Sequence, residues 1–381
     1  MFNEPFKHEP MKIENIENVI NNKNVPEIEL IFKTHMDKNK MLLEKSKKKI
    51  DYIEPLLSFN NNPCLYPRSI FLLQGHKGCH KSRFAETLIS PFIKIESNEF
   101  LGLVVNKNNT YFVIMVDTER NYEDQLPLAI QHIKKLAGYG ISEDPDNFFV
   151  TTFVDVPREK RLNELKVIIK KLKEEAKDKH FVILIDVISD LIPNFNSVYD
   201  SLNLTDFLNE IINTFDCTVI GVIHQNPFVL REKARGHLGS ELVNKSSAVL
   251  QIGMDDGNNF IKIKFLHLRA HKKPKEEFFL KYDEDQKILV KANNSEISSI
   301  RIEKDKEFEN EINSILSDGK KLNQKELVEK LTPIVNLSKN SILSRIKDLL
   351  RKRIGGQIFD FKKEGRENFY FLSDCSNELL D

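Results

Sequence analysis

The chain has 381 residues, of which 40% are hydrophobic and 30% charged, with 57 Lys and Arg against 57 Asp and Glu. That length suits one sizeable α/β domain with one or two small accessory ones, and a zero net charge means any nucleic-acid surface must come from local clustering. No apolar run approaches bilayer-spanning length, the opening MFNEPFKHEP is not a signal peptide, and Cys64, Cys79, Cys217 and Cys375 form no CxxC pair, so a cytoplasmic protein without membrane contact, disulfide framework or zinc site is expected.

Residues 1–65 are polar and charged, with helical periodicity around Glu27–Phe32 and Met41–Leu57 that breaks at Asn60-Asn61-Asn62-Pro63. A helical N-terminal extension is expected there, either packed on the core or reaching a neighbouring subunit. From Ser69 the pattern changes to short apolar runs: Ile70–Leu73, Tyr111–Val116, Phe148–Phe153, Phe181–Ile185, Thr218–Ile223 and Val249–Ile252. Helical stretches such as Arg83–Phe92, Asn121–Leu136, Leu162–Ala176 and Leu202–Phe215 separate several of them. Buried strands alternating with amphipathic helices indicate an α/β fold with a mainly parallel sheet covered on both faces. Phe260–Leu268 and Glu277–Tyr282 add two strands of the kind that end such a sheet with an antiparallel edge. The core is expected over 66–292, a polar linker over 293–306 and a small module over 307–381.

One string carries the first chemistry. An apolar strand, Ser69-Ile-Phe-Leu-Leu-Gln, runs into Gly75-His76-Lys77-Gly78-Cys79-His80-Lys81-Ser82 and then a helix. Gly75 and Gly78 let the backbone curl its N–H groups toward phosphates, Lys81 supplies positive charge to the β- and γ-phosphates, and the Ser82 hydroxyl can ligate Mg²⁺. The helix adds the positive end of its dipole. His80 stands where the pattern G-x-x-x-x-G-K-[ST] has its second glycine, so a side chain must fit where backbone usually wraps phosphate; its imidazole can also add a donor. The alternative is a surface turn that contains Lys-Ser by chance. Cys79 is either a small polar filler or a redox-sensitive thiol within the loop.

Three further strands end on polar residues. Val113–Val116 leads to Asp117-Thr118-Glu119-Arg120, where Glu119 is preferred as the base that activates water and Asp117 as a cap of the turn. Phe181–Ile185 ends on Asp186, placed to hold Mg²⁺, with Asp190 an ordinary residue of the next segment. Thr218–Ile223 closes on His224-Gln225-Asn226, where Gln225 suits a γ-phosphate sensor and His224 is either structural or a participant. This ordered set over about 66–290 resembles the RecA-like ATPases, which include RecA recombinases, DnaB-type replicative helicases and RepA-like hexameric helicases of plasmids. The resemblance implies a RecA-like P-loop core binding ATP and Mg²⁺, with Lys81, Glu119, Asp186 and Gln225 as catalytic positions.

The same resemblance makes the polar segment Arg231–Lys245 a mobile loop touching nucleic acid or a neighbour; by itself it reads equally as a solvated loop followed by a helix. It also makes Arg269, in the basic stretch Lys262–Lys273, a finger that reaches the next subunit's nucleotide site, which requires a homo-oligomer. Read without it, a basic edge strand discourages edge pairing.

From about 306 the order is helix, helix, helix, hairpin. Asn323 with Glu326 three residues on forms a capping box for the second helix. The third, Lys339–Arg353, has Ile342, Ile346, Leu349 and Leu350 on one face and Lys339, Arg345, Lys347, Arg351, Lys352 and Arg353 largely on the others. Gly355-Gly356 ends it, and strands Gln357–Phe361 and Asn368–Leu372 flank a turn carrying Lys362, Lys363 and Arg366. That is the winged-helix pattern, a DNA-binding or protein-docking module. The expected activity is ATP hydrolysis by a DNA-associated, helicase- or recombinase-like protein of a plasmid or other mobile element, acting in its replication, recombination or mobilisation; the alternative is a nucleotide-switched DNA-binding regulator with little turnover.

Overall fold

A computed structural model of the chain describes residues 25–49, 53–94, 99–226, 233–255, 260–317, 319–335, 337 and 339–373. The opening ten residues, Arg231 at the start of the expected mobile loop, and Cys375 lie outside the described residues. The chain divides into two compact units, 1–53 and 54–381. In the first, helix α1 (Val25–Ser46) exposes Leu30, Phe32, Leu42 and Leu43.

The second unit is built on a nine-stranded sheet. In chain order its strands are β1 (Ile70–Gly75), β2 (Tyr111–Asp117), β3 (Phe148–Thr152), β4 (His180–Asp186), β5 (Cys217–His224), β6 (Ala248–Met254), β7 (Phe260–Leu268), β8 (Phe278–Asp283) and β9 (Ile288–Lys291). Across the sheet they stand β9-β8-β7-β6-β1-β5-β4-β2-β3. The six from β6 to β3 pair in parallel and the other three are antiparallel. Helices cover both faces, which is why β4 and β5 are continuous apolar runs rather than alternating ones. Phe71, Leu73, Val113 and Leu184 pack toward α2 (Lys81–Ile93) and α3 (Gln125–Ala137). Leu72, Ile114, Ile183 and Ile185 pack toward α4 (Arg158–Glu175), α5 (Val198–Phe215) and α6 (Gly236–Lys245). Each fully buried aliphatic side chain contributes roughly 1.5–3 kcal/mol, so one charge inside these runs would be felt by the whole domain.

Two expected boundaries are corrected. Residues expected to be helical up to 65 instead form strands Leu57–Phe59 and Asn62–Leu65, joined through Asn60 and Asn61 at positive φ and sheeted with Leu103–Val105. Asparagine tolerates that conformation better than most residues, and burial of Phe59 and Leu65 holds the hairpin to the core. The polar linker expected at 293–306 is the first half of a continuous helix, α7 (Asn294–Leu316), opened by an Asn293–Glu296 capping box. Its polarity reflects a largely exposed helix that buries Phe308, Ile312 and Leu316 only in its second half.

After α7 come β10 (Leu322–Asn323), α8 (Gln324–Val335), α9 (Lys339–Leu349), β11 (Arg353–Ile354), β12 (Gln357–Glu364) and β13 (Glu367–Ser373). The four strands form one small sheet around the β12–β13 hairpin. Asn323 accepts from the Glu326 N–H at 2.9 Å and the Glu326 carboxylate accepts from the Asn323 N–H at 2.9 Å. Ile342, Ile346 and Leu349 of α9 are buried against Leu327, Leu331 and Phe359, whereas Lys339, Lys347, Arg351, Lys352, Lys362, Lys363 and Arg366 are exposed. Arg345 departs from that surface: its guanidinium stacks 5.7 Å from the Phe308 ring centre and lies 3.6 Å from Asp305 on α7.

Candidate functional site

The parallel strands all end at one edge, and that edge gathers the polar residues. Gly75 is opposite His224, Asp186 is opposite Val222, and Asp117 is opposite Asp186. An open α/β sheet presents its ligand crevice there. Here the crevice has a volume of about 710 Å³ and is lined by the loop 76–83 together with Glu119, Asp186, His224, Gln225 and Arg235.

The loop between β1 and α2 is fixed by close approaches. A Cβ on Gly75 would run into the Ile252 carbonyl oxygen of β6 and the Cys79 sulfur, so only glycine fits. The buried Cys79 thiol donates to the His76 carbonyl at 2.9 Å and lies 3.0 Å from the Ile252 carbonyl; burial pushes its pKa up, which favours the structural filler over a reactive thiolate. Lys81 is 6% exposed, and its ammonium donates to the His76 carbonyl at 2.6 Å, inside the curve of the loop. Gly78 has φ +81° with open space where a Cβ would stand.

His80 adopts φ 62°, ψ 25° immediately before α2. The left-handed region explains why glycine is the usual residue here; a side-chain-bearing residue costs roughly 1–2 kcal/mol in it. The imidazole stacks on Tyr282 of β8, with ring centres 5.7 Å apart and planes at 19°. Partial burial and then Arg83 hold its pKa below the usual histidine value.

Asp186 is 3% exposed, and burial raises its pKa to about 6 despite the Arg120 guanidinium beside it. Its Oδ2 accepts from Arg120 Nη2 at 2.7 Å, while Oδ1 is buried without a hydrogen-bond partner. The Ser82 hydroxyl lies close enough to counter part of the upward shift. An orphaned carboxylate oxygen beside a hydroxyl, at the foot of a phosphate loop, fits a hard divalent cation such as Mg²⁺, which keeps most of its shell as water and phosphate oxygen. Among the described residues no group of three His, Cys, Asp or Glu could hold a metal unaided.

The two carboxylates after β2 differ. Asp117 is fully buried: Oδ1 accepts the N–H groups of Glu119 and Arg120 at 3.0 and 2.7 Å, and Oδ2 accepts from Arg120 Nε at 2.7 Å. Glu119 is exposed, with His224 Nε2 3.7 Å from Oε1. His224 first, then Lys81 and Lys77, draw its pKa below the usual carboxylate range, so it is ionised at neutral pH. Gln225 is buried, its N–H donates to the Gly75 carbonyl at 2.9 Å, and its Oε1 accepts from Gln251 of β6 at 2.8 Å.

Arg269 is not brought to this site. Its N–H donates to the Ser247 carbonyl, just before β6, and its guanidinium donates to the Asn244 carbonyl. That is the amino edge of the sheet, opposite the phosphate loop. The Arg231–Lys245 segment continues as helix α6, anchored by buried Leu238 and Leu242. Residues without a predicted role are present as well. Arg235 lines the crevice with its guanidinium 4.5 Å from the Phe195 ring centre, and Glu86, His132 and Arg120 form a buried charged group beside Asp186. A glutamate within the apolar face of α2 was the one sequence signal of that group.

A family model described as Elongator subunit Iki1 matches residues 129–282, less than half of the chain and beginning after the phosphate loop. No curated protein matches the sequence. Among solved structures, the ATPase domain of a DnaB-like helicase aligns over 60% of this chain and 86% of its own, with a TM-score of 0.42 and 13% identity.

Proposed function

We propose that the chain is a Mg²⁺-dependent ATPase of the RecA-like type that works on DNA, in replication, recombination or mobilisation of a plasmid or other mobile element. The observation that carries this is the convergence of Lys81, Ser82, Asp186, Glu119 and Gln225 on one crevice at the carboxyl edge of the sheet. The backbone N–H groups of 76–81 and the Lys81 ammonium would hold the β- and γ-phosphates of ATP, with Ser82 and Asp186 holding Mg²⁺. The ion supplies charge neutralisation on the phosphates when bound. Glu119 takes a proton from water as the water oxygen bonds to the γ-phosphorus, and the bond to the β-phosphate oxygen breaks to leave ADP and phosphate. Gln225 reports the γ-phosphate to β6 through Gln251. Arg269, at the far edge, can serve only a neighbour's site, which makes the working form an oligomer.

The C-terminal helices and hairpin serve as a winged helix, with α9 directed to the major groove and Lys362, Lys363 and Arg366 to phosphates. The deciding experiment is ATP hydrolysis by the purified chain with Mg²⁺, with and without single- and double-stranded DNA, beside Lys81→Ala. Turnover that rises with DNA and vanishes in the variant supports the motor; nucleotide binding with no turnover under any condition overturns it. The left-handed His80 favours the second reading, a nucleotide-switched DNA-binding regulator, which that last outcome would select.

A further inference from the structure

We propose that Arg120 is the positioning residue of this site: by holding Asp186 through Oδ2 it leaves Oδ1, turned toward the phosphate-loop helix, as the oxygen that faces the metal. This rests on the assignment of Ser82 and Asp186 to Mg²⁺ above. Each of the three guanidinium nitrogens meets a different acid. Nε donates to Asp117 at 2.7 Å, Nη1 to Glu86 at 2.6 Å and Nη2 to Asp186 at 2.7 Å. The acids come from three elements, β2, α2 and β4, and are 1%, 1% and 3% exposed. Burial alone would disfavour the cation, but Asp186, Glu86 and Asp117 together raise its pKa.

Every other oxygen in the group has a partner. Asp117 Oδ1 accepts two backbone N–H groups, and Glu86 Oε2 accepts from Arg83 at 3.0 Å and meets His132 Nδ1 at 2.7 Å. Of the six carboxylate oxygens, only Asp186 Oδ1 is buried with none among the described residues. A fork that fixes one oxygen of a carboxylate fixes the direction of the other, and an ammonium with a single nitrogen cannot span three acids. Glu86 is itself anchored from α2 and α3, so the guanidinium is triangulated rather than pulled by Asp186 alone. The same Asp117 also ties the backbone N–H of Glu119, so the direction of the metal-facing oxygen and the place of the base share one support.

A purely structural role, in which Arg120 only neutralises buried acids, makes a different prediction. The test is the double substitution Arg120→Gln with Glu86→Gln, which removes one charge of each sign and leaves the net charge of the group unchanged. Binding of a non-hydrolysable ATP analogue is measured by calorimetry in EDTA and in Mg²⁺, for wild type and variant, with circular dichroism to verify folding. The expected result is metal-free affinity close to wild type and a Mg²⁺ enhancement reduced at least about tenfold, the usual scale for groups that orient metal ligands. Arg120→Lys, which keeps the charge and makes one bond of the three, is the second variant should the double not fold, and the same loss is expected of it. An unchanged Mg²⁺ enhancement in a folded variant overturns the proposal while leaving the ATPase assignment standing. A wild-type chain that binds the analogue without any Mg²⁺ enhancement, or fails to bind it, overturns the assignment and the proposal together.

Discussion

The His80 ring stacks on Tyr282, 5.7 Å between centres, and so a residue in left-handed conformation within the phosphate loop is tied to the antiparallel edge of the sheet. Two effects oppose each other at this position. The backbone conformation costs roughly 1–2 kcal/mol for a side-chain-bearing residue, and an aromatic pair returns about 0.5–1.5 kcal/mol. His80→Gly removes both and is expected to be near neutral in urea unfolding, with nucleotide affinity kept. His80→Ala retains the backbone cost and loses the stack, so it should be about 1 kcal/mol less stable than the glycine variant. A glycine variant less stable than the alanine one would show that the stack does not offset the conformation.

Gly75 is constrained by space rather than by dihedral angle. A methyl group there meets the Ile252 carbonyl, a backbone atom that cannot rotate away, and the Cys79 sulfur. Gly75→Ala is expected to separate β1 from β6 or displace the loop, costing more than about 3 kcal/mol in unfolding free energy and abolishing nucleotide binding. Cys79→Ala removes only the thiol contacts and should cost about 1 kcal/mol with binding retained. Thermal melting and nucleotide titration of the two variants check both.

The strands were legible because burial on both faces makes β2, β4 and β5 uninterrupted apolar runs, and their ends were legible because Asp117, Asp186 and His224 interrupt those runs abruptly. The support of the site was not. Arg120 meets Glu86 and Asp186 across 34 and 66 residues of sequence, and no local pattern announces a contact of that range. The hairpin at 57–65 was hidden for a different reason: Asn60 and Asn61 signal a break in a helix as well as they signal a positive-φ turn. The residues 293–306 were misjudged because α7 buries apolar side chains only in its second half, leaving a first half as polar as any linker.

His180, at the amino end of β4, makes stability depend on pH. Burial depresses its pKa from 6.5 to about 4, with Asp216 opposing. The Thr218 hydroxyl donates to the Tyr66 carbonyl at 3.0 Å, so His180 Nε2, 2.9 Å away, carries the proton of that contact. The unfolded chain binds a proton near pH 6.5 while the folded one resists until about 4, so stability from this group is present above 6.5 and lost as pH falls. The full effect is about 3 kcal/mol, of which about 2 falls between pH 7 and pH 5. His180→Gln keeps a donor toward Thr218 and cannot titrate. Urea midpoints at the two pH values should fall more steeply in wild type by that amount; parallel curves would assign the acid sensitivity elsewhere.

Glu119 and Asp117 are separated by the state of their oxygens. Both oxygens of Asp117 are taken by Arg120 and two backbone N–H groups, and the side chain is fully buried, so it can neither reach a water nor release a partner cheaply. Glu119 faces the crevice, ionised, with only the His224 imidazole at 3.7 Å beside it. Glu119→Gln should therefore lower single-turnover ATP hydrolysis by about a hundredfold or more, the scale of a lost general base, while melting temperature and nucleotide affinity stay near wild type. Asp117→Asn should act first on stability, because it leaves Arg120 facing one carboxylate fewer and weakens the turn that holds Glu119 in place. The converse pattern, a stable but inactive Asp117→Asn beside an active Glu119→Gln, would transfer the role of base to Asp117 and require Arg120 to leave it during turnover.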